Sequence, residues 1–198
     1  MEDEFLSEDF STAILCMLFG LLRDYKLRNS VLSLQILVRG DTVKPLSQLL
    51  ALDDTTEVWM CRDLLRGIKE PAPSDAEYQG KRPDVWCEDK QQRTLLISNK
   101  SFGGGNRNDE LGREACYLKF LREKRRGRGT LFLYALPEAW TASGEWYGFL
   151  NESDADAIVK RGILRWAFGL EDLLTAKFGL PEWFRDKLPS RVDRNKFL

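Results

Sequence analysis

The chain has 198 residues, 43% of them hydrophobic and 31% charged, which is enough for one globular domain and typical of a soluble protein. Its formal net charge of −1 gives no overall positive field, so contact with nucleic acid would require a local basic patch. Histidine is absent and the four cysteines form no Cys-x-x-Cys pair, which excludes an imidazole base and argues against a zinc site.

The first predicted element is a helix over residues 7–23, with a buried stripe of leucines and isoleucine. Its uncharged segment, residues 13–22, is too short to span a membrane and follows an acidic N-terminus, unlike a secretory signal. We therefore expect a cytoplasmic protein without membrane contact.

The next segments are harder to assign from local pattern. Residues 31–38 and 57–68 are apolar runs compatible with either a strand or a helix. Residues 45–52 predict a short helix, and residues 70–75 contain two prolines and predict a loop.

Two short apolar runs joined by a polar spacer predict a hairpin. The first is opened by Arg82-Pro83-Asp84-Val85-Trp86, and the second, residues 94–100, ends in Ser98-Asn99-Lys100. Because strand side chains alternate between faces, Ser98 and Lys100 should share one face while Asn99 points to the other. The hairpin would place Asp84 beside Ser98.

Downstream, the glycine-rich residues 101–108 predict a connection, and residues 108–125 predict a helix with acids in its first turn and bases in its last. Its buried face is expected at Leu111, Ala115, Leu118 and Leu121. Residues 130–136 predict a strand that ends at Pro137.

Pro83, Asp84 and Lys100 resemble the motif of the PD-(D/E)XK superfamily of restriction-endonuclease-like nucleases, in which Pro-Asp is followed, after a variable spacer, by an acidic residue, any residue and lysine. The resemblance implies an α/β fold with a restriction-endonuclease-like core, a mixed central β-sheet flanked by helices on both faces. It also implies one domain over residues 1–198, with a core of about residues 7–136 and peripheral elements in residues 140–198.

By the same resemblance, the activity would be Mg²⁺-dependent phosphodiester hydrolysis, with Mn²⁺ as an alternative metal, in a system of bacterial or phage defence. Asp84 would be a metal ligand, the Asn99 carbonyl a further ligand, and Lys100 would orient the attacking water or stabilise negative charge. Glu8 on the first helix or Glu77 before the hairpin would be the auxiliary carboxylate.

Ser98 departs from the family pattern, because a neutral hydroxyl stands where the second carboxylate is expected and should weaken metal affinity. Three explanations are open. The fold has lost its chemistry, Ser98 replaces a former Glu or Asp, or a carboxylate is recruited from elsewhere. The recruits considered are Glu8, Glu77, Glu110 and Glu114.

The function therefore has alternatives. A catalytically silent nuclease fold could bind nucleic acid or a protein partner, including a second copy in a homodimer. An interaction subunit unrelated to nucleases would have the same hairpin by chance.

Basic residues concentrate after the hairpin, with nine between Lys100 and Arg128 against four acidic ones. The nuclease relatives often carry Gln-x-x-x-Tyr on this helix, and Arg113 and Tyr117 occupy those positions here. A nucleic-acid surface, for DNA rather than RNA, is expected at Arg113, Tyr117, Arg122, Lys124, Arg125, Arg126 and Arg128. The alternative is a basic helix end that complements the helix dipole.

Overall fold

The structure, a computed structural model, describes residues 8–100, 107–137, 149–150 and 159–166, without the side chains of residues 8–10, 107–109 and 166. Its α-helices are α1 (Glu8–Gly20), α2 (Arg28–Leu32), α3 (Leu46–Leu49) and α4 (Arg107–Lys124). Its strands are β1 (Gln35–Val38), β2 (Thr42–Pro45), β3 (Glu57–Met60), β4 (Val85–Glu88), β5 (Thr94–Asn99), β6 (Thr130–Pro137) and β7 (Lys160–Trp166). Short 3-10 helices cover Leu21–Arg23, Leu64–Gly67 and Pro73–Tyr78.

The described strands form one mixed sheet of seven strands in the order β2-β1-β7-β6-β5-β4-β3. The meander β3-β4-β5 is antiparallel, whereas β5, β6 and β7 run parallel to one another. Parallel neighbours require a long crossover, and α4 lies in the one between β5 and β6. The fold is therefore α/β. No helix in the described part of the chain is long and apolar enough to cross a membrane.

Helices cover both faces of the sheet. Leu15 and Leu18 of α1 pack in one core cluster with Ile97 of β5. Tyr117 and Phe120 of α4 pack in a second cluster, which includes Leu96 and Trp86. The alternation of side chains along β5 thus sends neighbouring residues to opposite helices. Every residue of β5 and β6 is buried, as expected for strands covered on both sides.

The predicted hairpin is confirmed, because β4 and β5 pair antiparallel with Val85 opposite Ile97. The two ambiguous runs each divide between a helical turn and a strand: residues 31–38 include the end of α2 and all of β1, and residues 57–68 contain β3 and a 3-10 turn. The loop expected at residues 70–75 is wrong from Pro73 onward, where a 3-10 helix begins.

The buried face of α4 differs in part from the predicted one, since Leu121 is buried and Leu118 is partly buried as expected. Leu111 is 41% exposed and Ala115 is exposed, whereas Glu110 and Glu114 are only 6% and 3% exposed. The local pattern favoured the apolar residues because the buried cations that accompany the two glutamates, Lys100 and Arg161, come from elements outside the helix. Tertiary charge pairing thus overrides local hydrophobicity here.

The expectation that residues 140–198 are peripheral is wrong for β7. This strand lies between β1 and β6, and its Ile163 and Leu164 are buried. Its pairings are long-range, so nothing in the neighbouring sequence announces them. The other residues expected to be peripheral lie outside the described part, apart from residues 149, 150 and 159.

A glycine substitution tests the central position of β7. A Cβ on Gly162 would lie 2.4 Å from Ile36 Cγ2 and 3.2 Å from the Leu37 carbonyl oxygen. Overpacking of this kind costs about 1–3 kcal/mol, so Gly162→Ala should lower the free energy of unfolding by that amount in urea titrations. As a control, Gly112→Ala on α4 meets open space and should raise stability by about 0.5–1 kcal/mol. A neutral Gly162→Ala would contradict a buried β7.

Candidate active site

Asp84 immediately precedes β4, and its carboxylate lies against the end of β5. Its Oδ2 accepts a hydrogen bond from the Asn99 backbone N–H at 2.6 Å and another from the Ser98 hydroxyl at 3.3 Å. In the hairpin register, Asn99 would face Pro83, which has no N–H to exchange. The Asp84 side chain therefore continues the hairpin where the backbone ladder stops, and it adjoins position 98 as expected.

Asn99 points to the opposite face of the sheet, toward α1. Its side-chain Nδ2 donates to Ser11 Oγ at 2.6 Å and to Thr12 Oγ1 at 3.0 Å. All three residues are buried. Buried polar groups need such partners, so this cluster fixes the last residue of β5 to the first helix. A metal-binding role for the Asn99 carbonyl remains a prediction.

Lys100 extends β5 by one residue and faces α4. Its backbone N–H donates to the Ala135 carbonyl at 2.9 Å, which continues the parallel pairing with β6. Its Nζ lies 3.4 Å from Glu110 Oε1, and both side chains are less than a tenth exposed. Arg113 Nη2 lies 3.3 Å from the same carboxylate oxygen. The lysine of the motif is thus paired with a carboxylate that comes from a helix.

A second buried ion pair lies beside this one. Glu114, one helical turn after Glu110, accepts a hydrogen bond from the Tyr134 hydroxyl at 3.0 Å and lies 3.6 Å from Arg161 Nη1. Tyr134 is the residue of β6 that is in register with Ser98. The two glutamates of α4 therefore face the strand ends that carry the motif.

Tyr117 holds the segment before Asp84 in place. Its hydroxyl donates to the Arg82 carbonyl at 2.8 Å, and the residue is 2% exposed. Burial raises the pKa of Tyr117, and the negative charges of Asp84 and Glu110 raise it further. The carboxylates of Asp84 and Glu110 therefore both act electrostatically on the Tyr117 hydroxyl. Because Tyr117 is buried, this placement does not favour the predicted contact with nucleic acid.

Of the two predicted auxiliary carboxylates, Glu77 and Glu8, only Glu77 has a described side chain. Glu77 receives both its hydrogen bonds from Lys119 Nζ at 2.8 Å. Lys119 lies nine residues beyond Glu110 on α4, about 13 Å along the helix axis. This placement does not favour Glu77 as a metal ligand. Glu8 is the first described residue of α1, and its side chain lies outside the described part.

The basic cluster lies at the other end of α4. Lys124 is about 21 Å along the helix axis from Glu110. Arg125 is 5% exposed and donates to Glu88 and to the Gly67 carbonyl, while Lys124 pairs with Asp75. Structural contacts therefore involve Lys124 and Arg125 at this end of the helix, as they involve Arg113 and Tyr117 near the site. The expected nucleic-acid residues that are exposed are Arg113, Arg122, Arg126 and Arg128.

The site offers only a few hard oxygen donors among the described residues. Asp84 and Glu110 contribute carboxylates and Ser98 a hydroxyl, all with side chains on the α4 side of the sheet. In the part of the chain that the structure describes, no group of three or more His, Cys, Asp or Glu residues could hold a metal ion. The donors fit in kind an Mg²⁺ bound by one or two carboxylates together with water and substrate phosphate, but not a closed protein cage.

Tyr134 and Arg161 were not anticipated from the sequence, and Glu110 and Glu114 were only two of several carboxylates considered. One signal could have singled the glutamates out. They lie four residues apart on the helix that follows the lysine, so they share one helix face.

No protein-family model, curated protein or solved structure matches this chain. Its chemistry is therefore inferred from the residues and their geometry.

A double-mutant cycle tests the buried pair of Lys100 and Glu110. Lys100→Met should destabilise the protein because it leaves Glu110 buried with only Arg113 as a partner. Adding Glu110→Gln should recover part of the loss, giving a coupling energy of about 1–3 kcal/mol in urea unfolding. The pair of Lys119 and Glu77, which is more exposed, is a control expected to couple by less than about 1 kcal/mol. A coupling energy near zero for Lys100 and Glu110 would contradict their contact.

Proposed function

We propose that the chain is a metal-dependent nuclease of the PD-(D/E)XK type that acts on DNA, with Glu110 of α4 supplying the carboxylate that position 98 lacks. The observation that carries the proposal is the contact of Lys100 with Glu110 on the sheet face where Ser98 adjoins Asp84. The succession of α1, β3, β4, β5, α4 and β6 supports it, because a restriction-endonuclease-like core is expected to have this order, although α2, β1, β2 and α3 are inserted between α1 and β3.

Each residue then has a role. Asp84 and Glu110 would hold the metal, with the Ser98 hydroxyl beside Asp84. A bound Mg²⁺ supplies charge neutralisation at the phosphate and lowers the pKa of an attacking water. Lys100 presents an ammonium group to the negative charge that develops on the phosphate oxygens. Asn99 and Tyr117 are positioning residues, because they fix β5 to α1 and the Asp84 segment to α4.

A silent binding module is the second candidate, and the same ion pair favours it. Lys100 is neutralised by Glu110 in a nearly buried contact, so the lysine is not directed at a substrate unless the pair opens. Opening costs the attraction between two poorly solvated charges. In an active enzyme, binding of the metal and the phosphate must supply the free energy needed to separate Lys100 from Glu110.

Cleavage of labelled DNA in Mg²⁺ or Mn²⁺ tests the nuclease proposal. The parent should cleave, and Asp84→Asn and Glu110→Gln should each lower the rate by at least about 100-fold, because each removes a ligand charge. Glu77→Gln is the matched control, since it removes the same charge on the same side of the sheet, and it should cleave like the parent.

Two outcomes would overturn the assignment. Unchanged cleavage by Glu110→Gln would remove Glu110 from the site. An inactive parent that gains activity on Ser98→Glu would identify a nuclease fold whose missing carboxylate belongs at position 98.

Thermal unfolding of Ser98→Glu provides a test that needs no substrate. Ser98 is 4% exposed and its hydroxyl lies 3.3 Å from Asp84, so a glutamate there would bring two carboxylates together with little solvent. Without divalent metal the free energy of unfolding of the variant should be about 1–3 kcal/mol lower than that of the parent, so its melting temperature should be several degrees lower. Mg²⁺ should raise its melting temperature more than that of the parent, because binding to the folded state stabilises it. Ser98→Gln, with equal volume and no charge, is the control and should show no such Mg²⁺ response. An equal response in all three proteins would contradict a metal site at Asp84.

A further inference from the structure

A groove of about 630 Å³ lies at the end of the edge strand β3, next to the candidate site. We call it the arginine groove, and it is lined by residues 58–63, Arg66 and Arg82. Its wall is joined to the site by a backbone hydrogen bond of 3.0 Å from the Cys61 N–H to the Asp84 carbonyl. Arg82, which lines the groove, is two residues before Asp84 in the chain.

The charge of the arginine groove is unbalanced. Three arginines face one carboxylate, that of Asp63, which accepts hydrogen bonds from the Leu65 N–H at 2.9 Å and the Gly80 N–H at 2.7 Å. Its nearest arginine contact is 3.9 Å, to Arg82 Nε. Among the described residues, neither Arg62 nor Arg66 forms a salt bridge. The lining of the groove is thus positive in a chain whose net charge is −1, while the carboxylates of Glu57 and Glu88, outside the lining, also act on Arg62.

Arg62 is fixed in place before any ligand arrives. Its guanidinium carbon lies 3.9 Å from the centroid of the Trp59 ring, and its Nη2 donates to the Arg66 carbonyl at 3.3 Å. Burial lowers the pKa of Arg62, although a guanidinium remains charged at neutral pH. A partly desolvated, preorganised guanidinium gains from an anion, and its planar fork suits phosphate.

We propose that the arginine groove binds the phosphodiester backbone of a single DNA strand that leads to Asp84, an inference that rests on the proposed nuclease function. Grooves that hold single strands combine basic side chains along the backbone with aromatic or guanidinium surfaces for the bases. Arg66 and Arg82 are exposed for phosphate contact together with the preorganised Arg62, and the plane that Arg62 forms on the Trp59 ring also offers a flat surface. The basic end of α4 lacks this connection to the site, because it lies about 21 Å along the helix from Glu110.

Binding of a fluorescent single-stranded oligonucleotide in EDTA, where no metal-dependent cleavage occurs, tests the groove. Arg62→Gln/Arg66→Gln should reduce the slope of log K against log salt by about 1.4 and weaken binding by about 25-fold at about 0.1 M salt, because two phosphate contacts are lost. Arg126→Gln/Arg128→Gln removes the same charge at the far end of α4 and should bind like the parent. Equal loss in both variants, an unaffected groove variant, or a parent that binds duplex only would overturn the proposal.

Protection of Cys61 supplies a test on the unaltered protein, in case the Arg62 variant fails to fold. Cys61 is exposed in the groove, whereas Cys87 is buried. A bound single strand should slow alkylation of Cys61 several-fold by mass spectrometry, and an unchanged Cys61 rate at saturating oligonucleotide would contradict the groove as the binding site.

The nuclease proposal and the groove proposal can be overturned independently of each other. A parent that cleaves DNA while Cys61 is unprotected and the groove variant binds normally would leave the nuclease without this groove. An inactive parent whose single-strand binding is lost in the groove variant would leave the groove as a nucleic-acid site without nuclease chemistry.

Discussion

The hydrogen bond from the Asn99 N–H to Asp84 Oδ2, at 2.6 Å, is the contact on which the site depends. It occurs where Pro83 ends the regular pairing of the hairpin, while β5 continues alongside β6 to Lys100. An amide at that point needs an acceptor, because a buried N–H without one costs about 1–3 kcal/mol. The carboxylate that supplies it is thereby held beside Ser98. This hydrogen bond thus closes the end of the β4–β5 pair and positions Asp84, the candidate metal ligand.

Because side chains alternate between the two faces of the sheet, the last residues of this segment contact different helices. Asn99 reaches α1 through Ser11 and Thr12, and Lys100 reaches α4 through Glu110. Because the two residues are adjacent, a displacement of either helix would act directly on the end of β5. The position of the lysine relative to Asp84 is therefore fixed from both sides of the sheet.

The sequence was sufficient for the hairpin and for the faces of its last residues, since these follow from a polar spacer between two apolar runs and from period-two alternation. It was insufficient where partners are distant. Glu110 and Glu114 were two of several candidate carboxylates, and their burial depends on Lys100 and Arg161, which lie on other elements. The basic run near Lys124 looked like a free surface, yet Asp75 and Glu88 occupy two of its members. Local charge counts do not reveal such long-range pairing, and the central place of β7 was missed for the same reason.

Charge balance gives the serine at position 98 a physical consequence. On the α4 side of the sheet, Asp84, Glu110 and Glu114 lie with Lys100, Arg113 and Arg161, so three carboxylates accompany three cations. A fourth carboxylate at position 98 would give this buried region a net negative charge unless a metal were bound. With serine, no such excess arises, and under the proposed function Glu110 would be shared between Lys100 and any cation that reaches Asp84. If Glu110 turned toward such a cation, Lys100 would lose this contact, and its charge could then act on the nearest phosphate. The same exchange that recruits the second carboxylate would therefore release the lysine, so under the proposed function metal loading and activation of Lys100 are one equilibrium.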